Sequence, residues 1–370
     1  MTWLIPENHL DEISYKIIDC PIQEGNICIC GSIKTGKTTI LLHILKKILR
    51  TKANPCIVIL VYRNIDVNRF ETIFHELGIN TIVMTYWKFK KSSSRYDYIL
   101  CEDVHLIGAD WLLQIKDRSN RVIVTINPRL VLFDNSFTQT SLLTIDQVRD
   151  ILNPKVFTLC HSHQCNNPIV LKLEELLLNS DNPIQNTFFS HTRQTVRLCE
   201  ASNTKEELHF VIDEAEKYRI RGYSVAVLIP TNTGILKFVQ GIIALKNEKE
   251  WDETTNCWGR IDSENLNRYL SGINLNYQCL GSNFGMLSEI DNRINIMTYH
   301  ASMGFEYDYI FMPFVNSDLF ISINETIQKS AFVLASTRSR IGLNYTYSGP
   351  KLHYLNFIEN DCKKLILMII

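Results

Sequence analysis

The residues GSIKTGKT, from Gly31 to Thr38, carry the spacing G-x-x-x-x-G-K-[ST]. That spacing suits phosphate. Glycines let backbone N–H groups close on phosphate oxygens, and the helix that follows adds the positive end of its dipole. Gly31, Lys34, Thr35, Gly36, Lys37, Thr38 and Thr39 are therefore the expected nucleotide contacts. Lys37 would reach the β- and γ-phosphates of ATP, and the Thr38 hydroxyl would hold Mg²⁺. Hydrolysis further needs two carboxylates at the end of a neighbouring buried strand, one for the metal and one for the attacking water. The run DYILCED, residues 97–103, ends in Glu102 and Asp103 and supplies such a pair.

These residues need elements to hold them, and the hydrophobic pattern supplies a rhythm. NICICG (26–31), CIVILVY (56–62), DYILCED (97–103) and RVIVTI (121–126) read as buried strands of a parallel sheet, rich in Val, Ile, Leu and Cys. Amphipathic segments such as TTILLHILKKIL (38–49) lie between them, which is the βαβ pattern of an open α/β sheet. The rhythm weakens near 134–155. It restarts with VFTLC (156–160), YSVAVLIP (223–230), RINIMTY (293–299), YDYIFMP (307–313) and LNYTYS (343–348). A boundary near residue 150 follows, with an N-terminal ATP-binding domain over 1–150 and a C-terminal domain over 151–370. The polar stretch 245–290 reads as a loop-helix excursion or a partner surface. The apolar end LILMII reads as a last helix docked on its own domain, with a partner interface as the other reading.

Composition bounds the class. With 370 residues, 45% hydrophobic and 21% charged, the chain is a folded protein with room for two domains. A formal net charge of −1 excludes a bulk positive field but leaves space for a local basic groove. The longest apolar runs are far short of the roughly 20 residues a membrane span needs, so no membrane partner is expected. No cationic leader opens the chain, and the 11 cysteines, an odd number spread through apolar strands, suit a reducing compartment. A cytoplasmic location is the expectation. The cluster CHSHQC (160–165) has Cys-x4-Cys and two His but lacks the second matching pair of a zinc site.

With the P-loop and acid pair in place, the chain resembles superfamily 1 helicases of the UvrD/Rep type. YDYILCEDVHLI is similar to motif II, where the family runs into Asp-Glu-Ala-Gln. LDEISYKII (10–18) resembles the adenine-reading segment, VILVYRN (58–64) motif Ia, VTINPRLVLF (124–133) motif III and FTLCHSHQCNNPIV (157–170) motif IV. INIMTYHASMGFEYDYIFMP (294–313) resembles motif V and VLASTRSRIGLNYTYS (333–348) motif VI. The resemblance covers nearly the whole chain in the family's order. It implies two tandem RecA-like domains with ATP in the cleft between them and single-stranded DNA across their top. About 35 residues separate motif Ia from motif II, and about 125 separate motif IV from motif V, so accessory insertions should be absent or vestigial.

Roles carried over by position are Arg338 as an arginine finger, His163 as an adenine stack, Gln164 facing the γ-phosphate, and Gly304 with Glu306, the latter at the ribose. Tyr62, Phe133 and His300 become the nucleic-acid contacts. Arg63, Arg129 and Arg340 are further candidates to line a groove. Several positions depart from the family. Ser14 stands where it has the adenine-reading Gln, with Gln23 nearer the P-loop as a substitute. By the resemblance Glu102 falls in the metal position and Asp103 in the general-base position, which inverts the family's acid order, and Asp103 is one methylene short for its role. Misplacement on the ångström scale costs about 100-fold. His105 replaces the Gln that couples the two sites. Asn127 and Leu130 replace an Asp and a Gln, Gln164 replaces an Arg, and Met303 replaces a Lys. Phosphate-facing Arg residues are worth about 10³–10⁵ in rate.

Two readings follow. One is an ATP-binding, helicase-like protein on single-stranded DNA with weak or partner-dependent ATPase. The other is a pseudo-helicase that holds nucleotide as a regulatory or structural subunit, beside a nuclease or in a defence or repair assembly.

Overall fold

A computed structural model of the chain describes residues 4–133, 143–162, 172–173, 185–186, 194–255, 261–280, 292–319 and 321–367. The chain divides into two compact units, Met1–Gln164 with Asn182–Thr187, and Cys165–Asp181 with Phe188–Ile370. Both are α/β, each built on a parallel sheet of the RecA-like kind.

In the first unit, β1 (Ile27–Gly31), β2 (Ile57–Val61), β3 (Ile82–Thr85), β4 (Tyr96–Cys101), β5 (Ser119–Ile126) and β6 (Lys155–Leu159) form one sheet in the order β3-β2-β4-β5-β1-β6. All five pairings are parallel. Alternation along each strand divides the core into two layers. Ile27 and Ile29 of β1 pack with α2 (Lys37–Thr51) and α3 (Asn64–Leu77), whereas Cys28 and Cys30 face the layer of α5 (Ala109–Asp117) and α6 (Ile145–Leu152). Burial on both faces explains why these strands read as continuous apolar runs. α1 (Glu12–Asp19) and α4 (Tyr86–Lys91) complete this unit's α-helices among the described residues. A two-stranded parallel piece, β7 (His161–Ser162) with β8 (Gln185–Asn186), also belongs to it.

The second sheet contains β9 (Thr195–Glu200), β10 (Val225–Ile229), β11 (Tyr277–Cys279), β12 (Ile294–Thr298), β13 (Tyr307–Met312), β14 (Ser339–Tyr347) and β15 (Lys363–Ile366), in the order β11-β12-β10-β13-β14-β9-β15. Its pairings are likewise all parallel. α7 (Thr204–Ile220), α8 (Asn232–Leu245) and α9 (Ser263–Gly272) pack into one core layer with β10, β11 and β12. α10 (Glu325–Ser336) is buried along most of its length. Its Phe332 stacks on Tyr345 at 5.6 Å between ring centroids and also meets Tyr354 at 5.6 Å and Tyr299 at 6.3 Å. Phe332→Ala is expected to cost about 3–5 kcal/mol, because a fully buried aromatic leaves a cavity its neighbours cannot close. Urea unfolding of the variant checks this, and a loss under about 1 kcal/mol would show that the site collapses freely.

Two expectations change. The boundary lies later than residue 150. The 155–159 strand pairs with β1 in the first sheet, from Ile27↔Lys155 to Gly31↔Leu159. Apolar content does not say which sheet a strand joins; pairing does. The C-terminal LILMII begins as the edge strand β15, not as a docked helix, and pairs in parallel with β9. A short run of Leu and Ile fits either period, and the free edge of β9 decided it. The polar stretch after 245 is anchored as an excursion: Trp251 is buried and its Nε1–H donates to Asn265 Oδ1 at 2.9 Å on α9. No helix among the described residues is long and apolar enough to cross a membrane. All described cysteines are free thiols.

Candidate nucleotide site

The loop from Gly31 to Gly36 leaves the C-terminal end of β1 and turns directly into α2. Two left-handed residues shape it, Lys34 at φ 64° and Gly36 at φ 84°. Close packing explains the first glycine: a Cβ on Gly31 would lie 2.4 Å from Thr35 Oγ1 and 3.2 Å from Leu159 Cβ. Gly36, the N-cap of α2, offers no side-chain acceptor to the helix's first amides, which leaves that end suited to an anion. The Thr35 hydroxyl donates to Ser32 O at 2.9 Å, and Lys37 Nζ donates to Gly31 O at 2.9 Å and Ser32 O at 2.6 Å. The lysine ammonium therefore lies across the mouth of the loop. Lys34, Thr35 and Thr39 are buried beside it.

Glu102 follows β4, two strands away from β1, yet it reaches the loop. Thr38 Oγ1 donates to Glu102 Oε1 at 2.5 Å, joining residues 64 apart in sequence. Burial pushes the Glu102 carboxyl up to about 7, the neighbouring Asp103 adds to the rise, and the Arg69 guanidinium opposes it. A hydroxyl and a carboxylate brought together in this way form the donor set of a hard divalent cation, so the residues present fit Mg²⁺. The inverted acid order thus leaves Glu102 beside Thr38.

The raised Glu102 has a consequence for stability. The folded chain holds this proton more tightly than the unfolded one, whose ordinary value is 4.5, so stability is lost as pH climbs from 4.5 to about 7 and stays lost above. In metal-free buffer Glu102→Gln is expected to melt above wild type at pH 8. The gain is of order 3 kcal/mol at about 1.4 kcal/mol per tenfold change in proton affinity. It should shrink as pH falls below 7. Melting curves across pH check this, and a gain independent of pH would rule the cause out.

Asp103 takes a left-handed backbone, φ 51° and ψ 54°, at the start of the 3₁₀ turn Val104–Leu106. Its amide donates to Thr125 Oγ1 on β5 at 2.9 Å. His105 Nδ1 accepts the Asn127 N–H at 3.3 Å and lies 3.9 Å from Asp103 Oδ1. Burial pulls His105 down to about 4, so the ring is neutral and its proton sits on Nε2. Asn127 Oδ1 in turn accepts the Arg129 amide at 3.2 Å.

Tyr62 and Phe133, both half-buried, stack with centroids 5.4 Å apart and an interplanar angle of 28°. Arg63 beside them makes a two-point pair with Asp66 at 2.9 and 2.8 Å. Ser14 is buried in α1. Gln23 is not a substitute adenine reader. Its carbonyl is held by Arg121 Nε and Nη2 at 3.1 and 2.7 Å near the start of β5, at the opposite end of the sheet from the P-loop. The length of a five-residue strand, about 16 Å, separates those ends.

In the second unit, β12 ends at Thr298, whose Oγ1 accepts the Ala301 N–H at 3.2 Å and whose carbonyl accepts Ser302 N–H at 3.1 Å. His300 and Glu306 are half-buried on this turn, Met303 is buried, and Gly304 is left-handed at φ 81°. Arg338 is buried between α10 and β14. Its Nε donates to Leu334 O at 3.0 Å and its Nη2 to Thr337 Oγ1 at 2.7 Å, so the guanidinium closes the C-terminal turn of α10. Arg340 pairs with Asp308 at 3.2 Å. His163 and Gln164 lie outside the described residues, as does Cys165 of CHSHQC. Among the described residues no cluster of three or more His, Cys, Asp or Glu stands ready for a metal.

Sequence reasoning missed Thr125. The only signal was a hydroxyl inside the apolar run RVIVTI, where a valine would be the default.

No family model matches the chain, and no curated protein matches it. Among solved structures it is similar to one described as the structure of PRRSV helicase, at 10% identity and a TM-score of 0.46. That match covers 90% of this chain and 54% of the other, so the chain spans about half that helicase's length.

Proposed function

We propose that the first unit binds Mg·ATP and that the chain acts on single-stranded DNA as a superfamily 1, UvrD/Rep-like helicase core with weak or partner-dependent ATP turnover. The observation that carries this reading is the Thr38–Glu102 hydrogen bond under a P-loop whose lysine already spans its mouth. Thr38 and Glu102 would hold the metal, which would supply positive charge against the phosphates. Lys37 gives up its two loop carbonyls for the terminal phosphates. In hydrolysis a water oxygen bonds to the γ-phosphorus as the bond to the β–γ bridging oxygen breaks, and the water's proton passes to Asp103. Outside this chemistry, the half-exposed Tyr62–Phe133 pair offers an aromatic face on which a base can stack, at about 1–3 kcal/mol per base.

A second reading rests on Arg338, whose guanidinium is engaged by its own helix end. It favours a pseudo-helicase that holds nucleotide without cleaving it, as a subunit beside a nuclease or in a defence or repair assembly. Equilibrium binding of a fluorescent ATP analogue, measured beside Mg·ATP turnover with and without an oligothymidylate strand, separates the two. DNA-stimulated turnover supports the helicase. Tight binding with no turnover in any condition leaves the pseudo-helicase, and absence of binding sinks both.

A further inference from the structure

Thr125 is wholly buried in β5, the strand lying between β1 of the P-loop and β4 of the acid pair. It pairs with Ile29 across from β1. Ile123, two residues earlier, packs in the α2 layer, so alternation sets the Thr125 side chain on that same face. A hydroxyl there is costly unless it is bonded, and valine would fill the space without that cost. The hydroxyl has a definite use. Its oxygen accepts the Asp103 amide at 2.9 Å, and Asp103 is a non-glycine residue in left-handed backbone. Such a conformation persists only where its surroundings determine it. Two further bonds serve the same turn: Leu106 N–H to Asp103 O at 3.0 Å, and Asn127 N–H to His105 Nδ1 at 3.3 Å, the latter again from the end of β5.

We propose that Thr125 is the positioning residue for Asp103, fixing through its hydroxyl the left-handed turn that aims the base carboxylate. A short acid is thereby held in one direction. This assignment rests on the hydrolytic reading of Asp103 given above and names a residue to which the motif comparison gave no role.

Thr125→Val removes the hydroxyl and keeps the shape; Thr125→Ser keeps the hydroxyl. The valine variant is expected to lose about 10–100-fold in kcat for Mg·ATP, as misplacement of a catalytic group does. Its affinity for a fluorescent ATP analogue should stay within about twofold, since the P-loop contacts are untouched. The serine variant should retain kcat within about threefold of wild type. Should the valine variant fail to fold, Thr125→Cys, with its weakly accepting sulfur, carries the same test. Wild-type kcat in the valine or cysteine variant overturns the assignment. So does a serine variant as slow as valine, or affinity that falls in step with kcat. Wild-type protein that binds the analogue but never turns over overturns the hydrolytic reading and this assignment together. Normal turnover in both wild type and valine variant overturns the assignment alone.

Discussion

Lys37→Ala is expected to weaken ATP binding at least about 100-fold, the largest effect on nucleotide affinity of any single change in the first unit. Hydrogen bonds to a charged group contribute about 1.5–3 kcal/mol each, and Lys37 makes more than one. With about 1.4 kcal/mol per tenfold in affinity, loss of two such bonds to phosphate gives that factor or more. The ammonium lies against Gly31 O and Ser32 O, so little rearrangement is needed to meet the terminal phosphates. Alanine is the best helix former and suits the first turn of α2, so the fold should survive the change. Titration of a fluorescent ATP analogue reads the effect, with circular dichroism confirming the fold. Undiminished affinity in a folded variant would remove the P-loop from the functional account.

Asp103→Asn should lower kcat by about 10²–10⁴-fold while leaving nucleotide affinity within about threefold, the signature of a lost general base. Asparagine is a fair probe because it keeps the side chain's shape and tolerates left-handed backbone. The turn at φ 51° and the amide bond to Thr125 are therefore retained. What is lost is the capacity to accept a proton. Single-turnover kinetics with Mg·ATP, beside equilibrium binding, measures both quantities. An asparagine variant that hydrolyses ATP like wild type would move the base elsewhere. Equal loss of binding and rate would recast Asp103 as a nucleotide contact.

Glu102 bears on the interpretation of both experiments. With its carboxyl pushed up to about 7 by burial, a divalent cation binding there would displace the proton to solvent, so nucleotide affinity should be read at fixed pH and magnesium.

What the sequence by itself determined is local or strongly patterned. The P-loop spacing located Lys37 and Thr38, and the acid pair after a buried strand located Glu102 and Asp103. The apolar runs located most strands of both sheets, because buried parallel strands need side chains that suit apolar surroundings on both faces. Motif order singled out Tyr62 and Phe133 separately. Their stack is a product of folding, since β2 and β5 run parallel and the chain leaves both at the same end of one sheet. Other features belong to tertiary structure alone. Sheet membership of the 155–159 strand and the strand form of residues 363–366 depend on which edge was free to pair. The engagement of Arg338 by Leu334 O and Thr337 follows from where a helix ends, which no motif records. Thr125 is the sharpest case. One hydroxyl in an apolar strand carries no meaning in sequence, because its partner is a backbone amide 22 residues away in the turn that follows a neighbouring strand. Backbone donors are the same at every position, so only folding decides which of them a buried oxygen will meet.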